Sequence, residues 1–172
     1  MPSIAAEISI SFSLVFATWP TPASILTETV RTKEKVLVSA CLLGQSCAYD
    51  GGHRKCDAVS RLSERYELIP ICPECVGGLS TPRTPSERLG ERVLSRDGRD
   101  VTAEYRKGAE EALSLALSEG VIFAVLKAKS PSCGKGEIYD GSFTHTLISG
   151  DGVTAELLLS RGIPVYTEKE IE

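Results

Sequence analysis

A compact α/β sandwich on a small, mainly parallel sheet of about four strands is the fold that this sequence predicts. Short β-branched, apolar runs recur along the chain, and segments with helical spacing lie between them. One run, VIFAVLK at 121–127, is apolar almost throughout, as a strand covered on both faces must be. Strands joined through helices run parallel, and their crossovers place helices on the sheet faces. At 172 residues the chain suits one domain with a sizeable core.

Taken in order, residues 8–18 (ISISFSLVFAT) are apolar, but Glu7 stands where an export signal carries positive charge. The run is also short of the ~20 residues that cross a bilayer. Trp19-Pro20-Thr21-Pro22 then interrupts regular structure. We expect residues 1–34 to be a weakly ordered extension or a mis-assigned chain start, and 35–172 to be a single α/β domain. Lys35–Ala40 reads as the first buried strand, and 44–53 as a loop closed by an Asp-Gly-Gly turn. Asp57–Tyr66 has helical spacing, with Val59 and Leu62 on one side. Leu68–Ile71 gives a second strand.

From Cys72 to Pro85 the composition changes, and three prolines with two glycines predict irregular backbone of functional type. Residues 92–101 (RVLSRDGRDV) suggest a small hairpin turning at Asp97-Gly98. Thr102–Ser118 is the best helix, with Thr102 as its cap and Gly120 as its stop. After the strand at 121–127 come a loop, AKSPSCGKG, and a polar connector with Asp140-Gly141. A helix at 153–161 and a last strand at Pro164–Tyr166 complete a Rossmann-like order.

A net charge of −4 argues against a surface built to neutralise DNA phosphates, and no segment predicts a membrane partner. Six cysteines are too sparse for a disulfide scaffold, so metal or redox use in the cytoplasm is the expectation. Three of them, Cys41, Cys72 and Cys133, each follow a predicted strand. In a parallel sheet the carboxyl ends of the strands face one crevice, where ligands bind. Thiolates select iron–sulfur clusters, zinc or copper(I). A cubane cluster takes four thiolates, so three would leave one iron open to a substrate atom or sulfide. A catalytic zinc with three protein ligands and a water stays as an alternative.

Cys72-Pro-Glu-Cys75 also has the spacing of a redox pair, but such pairs open a helix with a lowered thiol pKa, and Val76-Gly-Gly is a poor helix start. Glu74 is a candidate to exchange protons with a bound substrate, or else a loop carboxylate paired with Arg83. Ser130-Pro-Ser132-Cys-Gly fits a hydrolase elbow poorly, because a polar connector follows. Ser130 and Ser132 are better read as hydrogen-bonding a ligand or cluster sulfurs. Lys127, Lys129 and Lys135 are candidates to attract an anionic group, and Asp50 to orient a substrate or start its turn. His53 and His145 lack a paired ligand and stay outside the metal site.

Together SACLLG (39–44), YDG (49–51), CPE with GGL and PR (72–83) and KSPSCG (129–134) resemble the signature of the 2-thiouracil desulfurase family, over about Lys35 to Val165. The resemblance implies a [4Fe-4S] cluster on Cys41, Cys72 and Cys133. The open iron would act as a Lewis acid on the sulfur of a thiolated nucleobase or related small molecule, in a non-redox desulfuration. It also implies that Glu74 and Ser130 manage protons and position the substrate. Cys47 is the natural rival of Cys41. Cys72 is preferred to Cys75, because it directly follows the strand and the motif reads Cys-Pro-Glu. The implied partners are the small thiolated substrate and a sulfur acceptor protein. A cluster- or sulfur-carrying protein without catalysis of its own, or a zinc-dependent hydrolase, is the alternative.

Overall fold

The computed structural model describes residues 32–171, so the extension expected at 1–34 lies outside the described residues except for Thr32, Lys33 and Glu34. Four strands form one parallel sheet in the order β2–β1–β5–β8. They are β1 (Lys35–Ser39), β2 (Glu67–Ile71), β5 (Phe123–Leu126) and β8 (Val165–Thr167). β1 lies between β2 and β5, paired in register with both, for example Val36 with Leu68 and with Phe123. From β1 the chain turns to β2 on one side and later to β5 and β8 on the other. The crevice beyond the carboxyl ends is thus a topological switch point.

Alternation along β1 explains how both faces are covered. Leu37 packs with Ala112, Leu113, Ala124, Leu126 and Leu158 in one cluster. These side chains come from α3 (Thr102–Glu119) and α4 (Val153–Ser160) as well as the sheet. Val36 and Val38 point the other way, into a cluster with Leu42, Val59 and Val125. Here Val59 belongs to α1 (Asp57–Arg61), which continues as a 3-10 turn at Leu62–Glu64, and Leu42 to a 3-10 turn at Ala40–Leu43. The expected sandwich with a four-stranded, mainly parallel sheet is what the chain forms.

Four local expectations are corrected. Residues 72–85 are not irregular throughout, because Pro73–Val76 forms a one-turn helix, α2, that Cys72 opens. Proline at the first helical position has its ring geometry already set for that turn. The hairpin joins β3 (Ser86–Leu89) to β4 (Arg92–Ser95), so it turns at Gly90-Glu91 rather than at Asp97-Gly98. Asp97-Gly98 makes a second, tight turn, in which the Gly98 N–H donates to the Ser95 carbonyl at 2.8 Å. The cap of α3 is not Thr102: Asp100 Oδ1 accepts from the Thr102 N–H at 3.0 Å, and Thr102 Oγ1 instead accepts from the Val93 N–H. The polar connector is itself a hairpin, β6 (Glu137–Tyr139) with β7 (Leu147–Ser149).

α2 lies against α3 closely enough that backbone touches backbone. A Cβ at Gly108 would stand 2.0 Å from the Pro73 carbonyl oxygen, and one at Gly77 2.1 Å from that of Glu104. The two glycines thereby fix the segment that carries Cys72 onto the longest helix. Among the described residues, no helix is long and apolar enough to cross a membrane.

Candidate cluster and substrate site

A cavity of about 420 Å³ opens beyond the carboxyl ends of the sheet. Cys41, Cys72 and Cys133 all line it, arriving after β1, β2 and β5, which are neighbours in the sheet. Glu74 and Ser130 line it too. The five residues singled out from sequence therefore meet in one cavity. Cys47 is a fourth thiol on its wall, whereas Cys56 and Cys75 are not. All six cysteines are unpaired.

Each thiol is placed by short-range geometry. Cys41 sits in the 3-10 turn that begins where β1 ends, and its carbonyl accepts the Arg54 N–H at 2.9 Å, which folds the following loop back over it. Cys72 approaches the Cys47 carbonyl through its sulfur at 3.7 Å. Cys133 is buried, in a turn organised by Ser130, whose Oγ accepts the N–H groups of Ser132 and Cys133, each at 3.1 Å. The same Oγ donates to Glu74 Oε1 at 3.4 Å.

Glu74 and Arg83 form a largely buried ion pair, with Arg83 Nε donating to Glu74 Oε2 at 2.8 Å. The pairing expected from sequence is present, and it coexists with a place on the cavity wall. Arg83 also donates to the carbonyls of Cys47 (3.1 Å) and Ser80 (3.2 Å), so its planar fork ties the loop of Cys47 and its own loop to one carboxylate. Tyr105 of α3, almost fully buried, brings its phenol beside Glu74 and Ser86. Burial, then the Glu74 charge, push that phenol well above its ordinary 10.0, so it stays a neutral O–H.

Burial dominates the thiols as well. It pushes Cys41 up to about 12, with the Cys133 and Cys47 sulfurs adding to the effect and Lys127 opposing it. Cys133 rises to about 11, again mainly through burial. Cys72 goes far above its ordinary 9.0, and Cys47 moves in the same direction. Such thiols become thiolates only beside a strong positive charge, and iron supplies one. The soft donor set, its burial and the room in the cavity fit a [4Fe-4S] group. Among the described residues, no three His, Cys, Asp or Glu side chains, the three cysteines included, are already drawn together as for a single metal ion.

The helix objection to a Cys72/Cys75 redox pair falls, because Cys72 does open a helix. A different observation counts against the pair: the Cys72 thiol is pushed up, whereas an activated thiol of such a pair is lowered. Cys75 does not line the cavity; its sulfur lies 3.4 Å from Thr81 Oγ1 and 3.9 Å from the Cys47 carbonyl. Ser132, expected to meet a ligand, is fully buried with its Oγ on Thr154 Oγ1 at 2.9 Å. Lys127 is paired with Glu168 at 2.5 Å and Lys135 with Glu170 at 2.8 Å, so neither is a free anion anchor. Asp50 caps its own turn through the Gly52 N–H (3.0 Å) and pairs with Arg54 (2.7 Å).

Sequence reasoning missed Tyr105, Glu87, Arg96 and Tyr139, all on the cavity wall, and left out His145, which is also there. Tyr105 falls within the predicted helix Thr102–Ser118, where helical spacing alone marks it for the core and not for chemistry. Glu87 lies in the β3–β4 hairpin and Arg96 just after it, where no spacing pointed to chemistry.

The chain is similar in sequence and fold to known proteins. The family model for 2-thiouracil desulfurase matches residues 36–170. A solved structure named as a [4Fe-4S]-dependent thiouracil desulfidase, TudS, shares 48% identity and superposes with a TM-score of 0.76, covering 81% of this chain and 93% of that one. The uncharacterized protein YbbK of Bacillus subtilis (strain 168) is 38% identical over 146 residues, which is 79% of this chain and 97% of that protein.

Proposed function

The chain belongs to the 2-thiouracil desulfurase family, and from that premise we propose that it removes sulfur from a thiolated nucleobase such as 2-thiouracil, using a [4Fe-4S] cluster. Cys41, Cys72 and Cys133 would hold the cluster, and Glu74 and Ser130 would serve the reaction. The observation that carries this reading is the meeting of all five residues in one cavity from separate segments of chain. When bound, a cluster on three thiolates supplies one iron without a protein ligand, a Lewis acid for the thiocarbonyl sulfur.

The residues of the chain then have distinct tasks. Replacement of sulfur by water at carbon is a hydrolysis, in which a thiocarbonyl and water give a carbonyl and hydrogen sulfide, with no net electron transfer. It requires protons to move from water toward the departing sulfur. Two contacts support giving that work to Glu74: Arg83 holds its Oε2, while its Oε1 meets the Ser130 hydroxyl at the cavity wall. Glu74 takes a proton from water at Oε1, and the Arg83 guanidinium keeps the carboxylate aligned. Ser130 donates to Glu74 while its oxygen fixes the turn of Cys133. It therefore couples the proton-handling group to the sulfur-binding wall. Tyr105 holds a neutral O–H beside Glu74 and orients it further.

A cytoplasmic setting belongs to this reading, since reducing compartments keep such thiols unpaired. So does delivery of the released sulfur to an acceptor protein. Anaerobic reconstitution with iron and sulfide, followed by assay of 2-thiouracil conversion to uracil, tests the reading. A cluster-loaded protein inert toward a panel of thio-bases would favour the carrier instead.

A further inference from the structure

Glu87 is a buried carboxylate that the reaction above does not use. It lies in β3, is only 7% exposed, and lines the cavity. Its two oxygens are treated differently. Oε2 accepts two backbone N–H groups, Gly141 at 3.0 Å and Phe143 at 2.9 Å, both from the turn between β6 and β7. Among the described residues, no donor reaches Oε1. That oxygen is also not sealed in the protein, because among the described residues no buried side-chain oxygen lacks a partner. The idle oxygen therefore keeps some access to solvent, and the carboxylate that carries it is nine-tenths buried and lines the cavity.

A carboxylate oxygen accepts hydrogen bonds, and a ligand that displaces water from it without offering a donor leaves it unmet at a cost. A ligand that completes this one must bring a donor. If the proposed function holds, on which this inference rests, the donors of a 2-thiouracil-like substrate are the ring N–H groups flanking the thiocarbonyl carbon. We infer that Glu87 is a substrate-specificity residue, whose Oε1 accepts a ring N–H of the substrate. The clip through Oε2 serves the same end. It holds a turn in which Phe143 and His145 adopt left-handed backbone (φ 58° and 64°), and His145 and Tyr139 border the cavity there. Recognition then uses two edges of the ring, sulfur toward the thiols and N–H toward Glu87. A ring alkylated at that nitrogen presents a methyl group to an acceptor and is rejected.

The test compares 2-thiouracil with its two ring-N-methyl analogues, one for each nitrogen flanking the thiocarbonyl, on cluster-loaded protein, wild type and Glu87→Gln. Glutamine keeps one carbonyl oxygen for the clip and puts an amide N–H donor in place of the idle acceptor. Wild type should lose on the order of 10- to 100-fold in kcat/KM on one methyl analogue, the range for a hydrogen bond to a charged group. Glu87→Gln should level that analogue with the parent, with the change falling on KM. It should also weaken binding of uracil, measured by calorimetry, by a similar factor, while iron content stays at the wild-type level. Equal turnover of all three compounds by wild type overturns the inference without any variant. A Glu87→Gln protein that still discriminates and binds uracil normally reduces Glu87 to a loop clip, and also overturns it. If wild type neither turns over 2-thiouracil nor binds uracil, the proposed function itself has failed, and this inference falls with it.

Discussion

The cavity has a wall of strand ends and a wall of hairpins, and the two are held by different forces. On the first, Cys41, Cys72 and Cys133 extend from three adjacent strands whose own residues are packed on both faces. Burial is the dominant influence on those thiols. On the second, β3 and the β6–β7 turn come from two-stranded units joined by polar contacts, chiefly the bonds from Glu87 to Gly141 and Phe143. The difference teaches a division of labour. The sheet supplies a fixed, largely buried set of soft donors, and in the proposed reading the hairpins supply polar groups for a substrate. The Glu74–Arg83 pair stands at the seam.

The largest expected effect breaks the first wall alone. Cys41→Ala, Cys72→Ala and Cys133→Ala should each lose the iron that wild type takes up on anaerobic reconstitution, about four atoms per chain. Cys75→Ala, whose thiol faces Thr81, should keep it. Iron and sulfide analysis with the visible absorption spectrum reads the result. Retention of a full cluster by Cys72→Ala together with its loss in Cys75→Ala would reassign the ligand. Next, Glu74→Gln should leave iron content unchanged and lower kcat for 2-thiouracil on the order of 10²- to 10⁴-fold, the usual contribution of a positioned proton-transfer group. Turnover near the wild-type rate would remove Glu74 from the proton path.

A third variant tests whether the rigidity of the first wall depends on backbone contact. In Gly108→Ala the new Cβ would meet the Pro73 carbonyl, a backbone atom that no rotamer change can move aside. We expect a loss of about 1–3 kcal/mol in stability, as for other overpacked sites. Cluster uptake should fall with it, because the displaced turn carries Cys72. Thermal unfolding and iron content in the same preparation check both. An unaltered melting temperature would mean that α2 shifts freely, and that the contact does not hold the thiol in place.

The two walls also differed in how far they could be read from residues. Strand ends were legible because their signal is local: KVLVSA, ELIPI and VIFAVLK each announce a strand, and the cysteine follows directly or within a short loop. That β2, β1 and β5 are neighbours is a matter of strand order, which the runs leave open and the fold supplies. The hairpins carried no such signal. Asp97-Gly98 is a strong turn dipeptide and drew the predicted hairpin one turn too far along, whereas the true turn, Gly90-Glu91, is weaker by composition. Once β3 is missed, Glu87 has no reason to stand out, since its partners lie 54 and 56 residues away. The one-turn helix at Pro73–Val76 was hidden by prolines and glycines that read as loop. Gly77 is there for close packing against α3 rather than to break structure.

The smallest effect belongs to the support of the hairpin side, at the corner between β4 and α3. Asp100 Oδ1 accepts from the Thr102 hydroxyl and N–H, and its Oδ2 meets Arg92 at 2.9 Å. The Thr102 hydroxyl first, then its N–H and Arg92, hold this carboxyl at about 2, below its ordinary 3.8. A carboxyl with a lowered folded-state pKa contributes stability that is fully present above the unfolded value and is lost as pH falls through the folded one. The contribution of Asp100 should therefore fade between about pH 4 and pH 2. Because the group is solvent-exposed, the change should be modest and screened by salt. Urea unfolding of cluster-free protein across that window, for wild type and Asp100→Asn, isolates it. The variant should be slightly less stable at neutral pH and should lose less on acidification. Parallel curves for the two proteins would show that the acid sensitivity of the fold arises elsewhere, and that this corner holds α3 through Thr102 and Val93 alone.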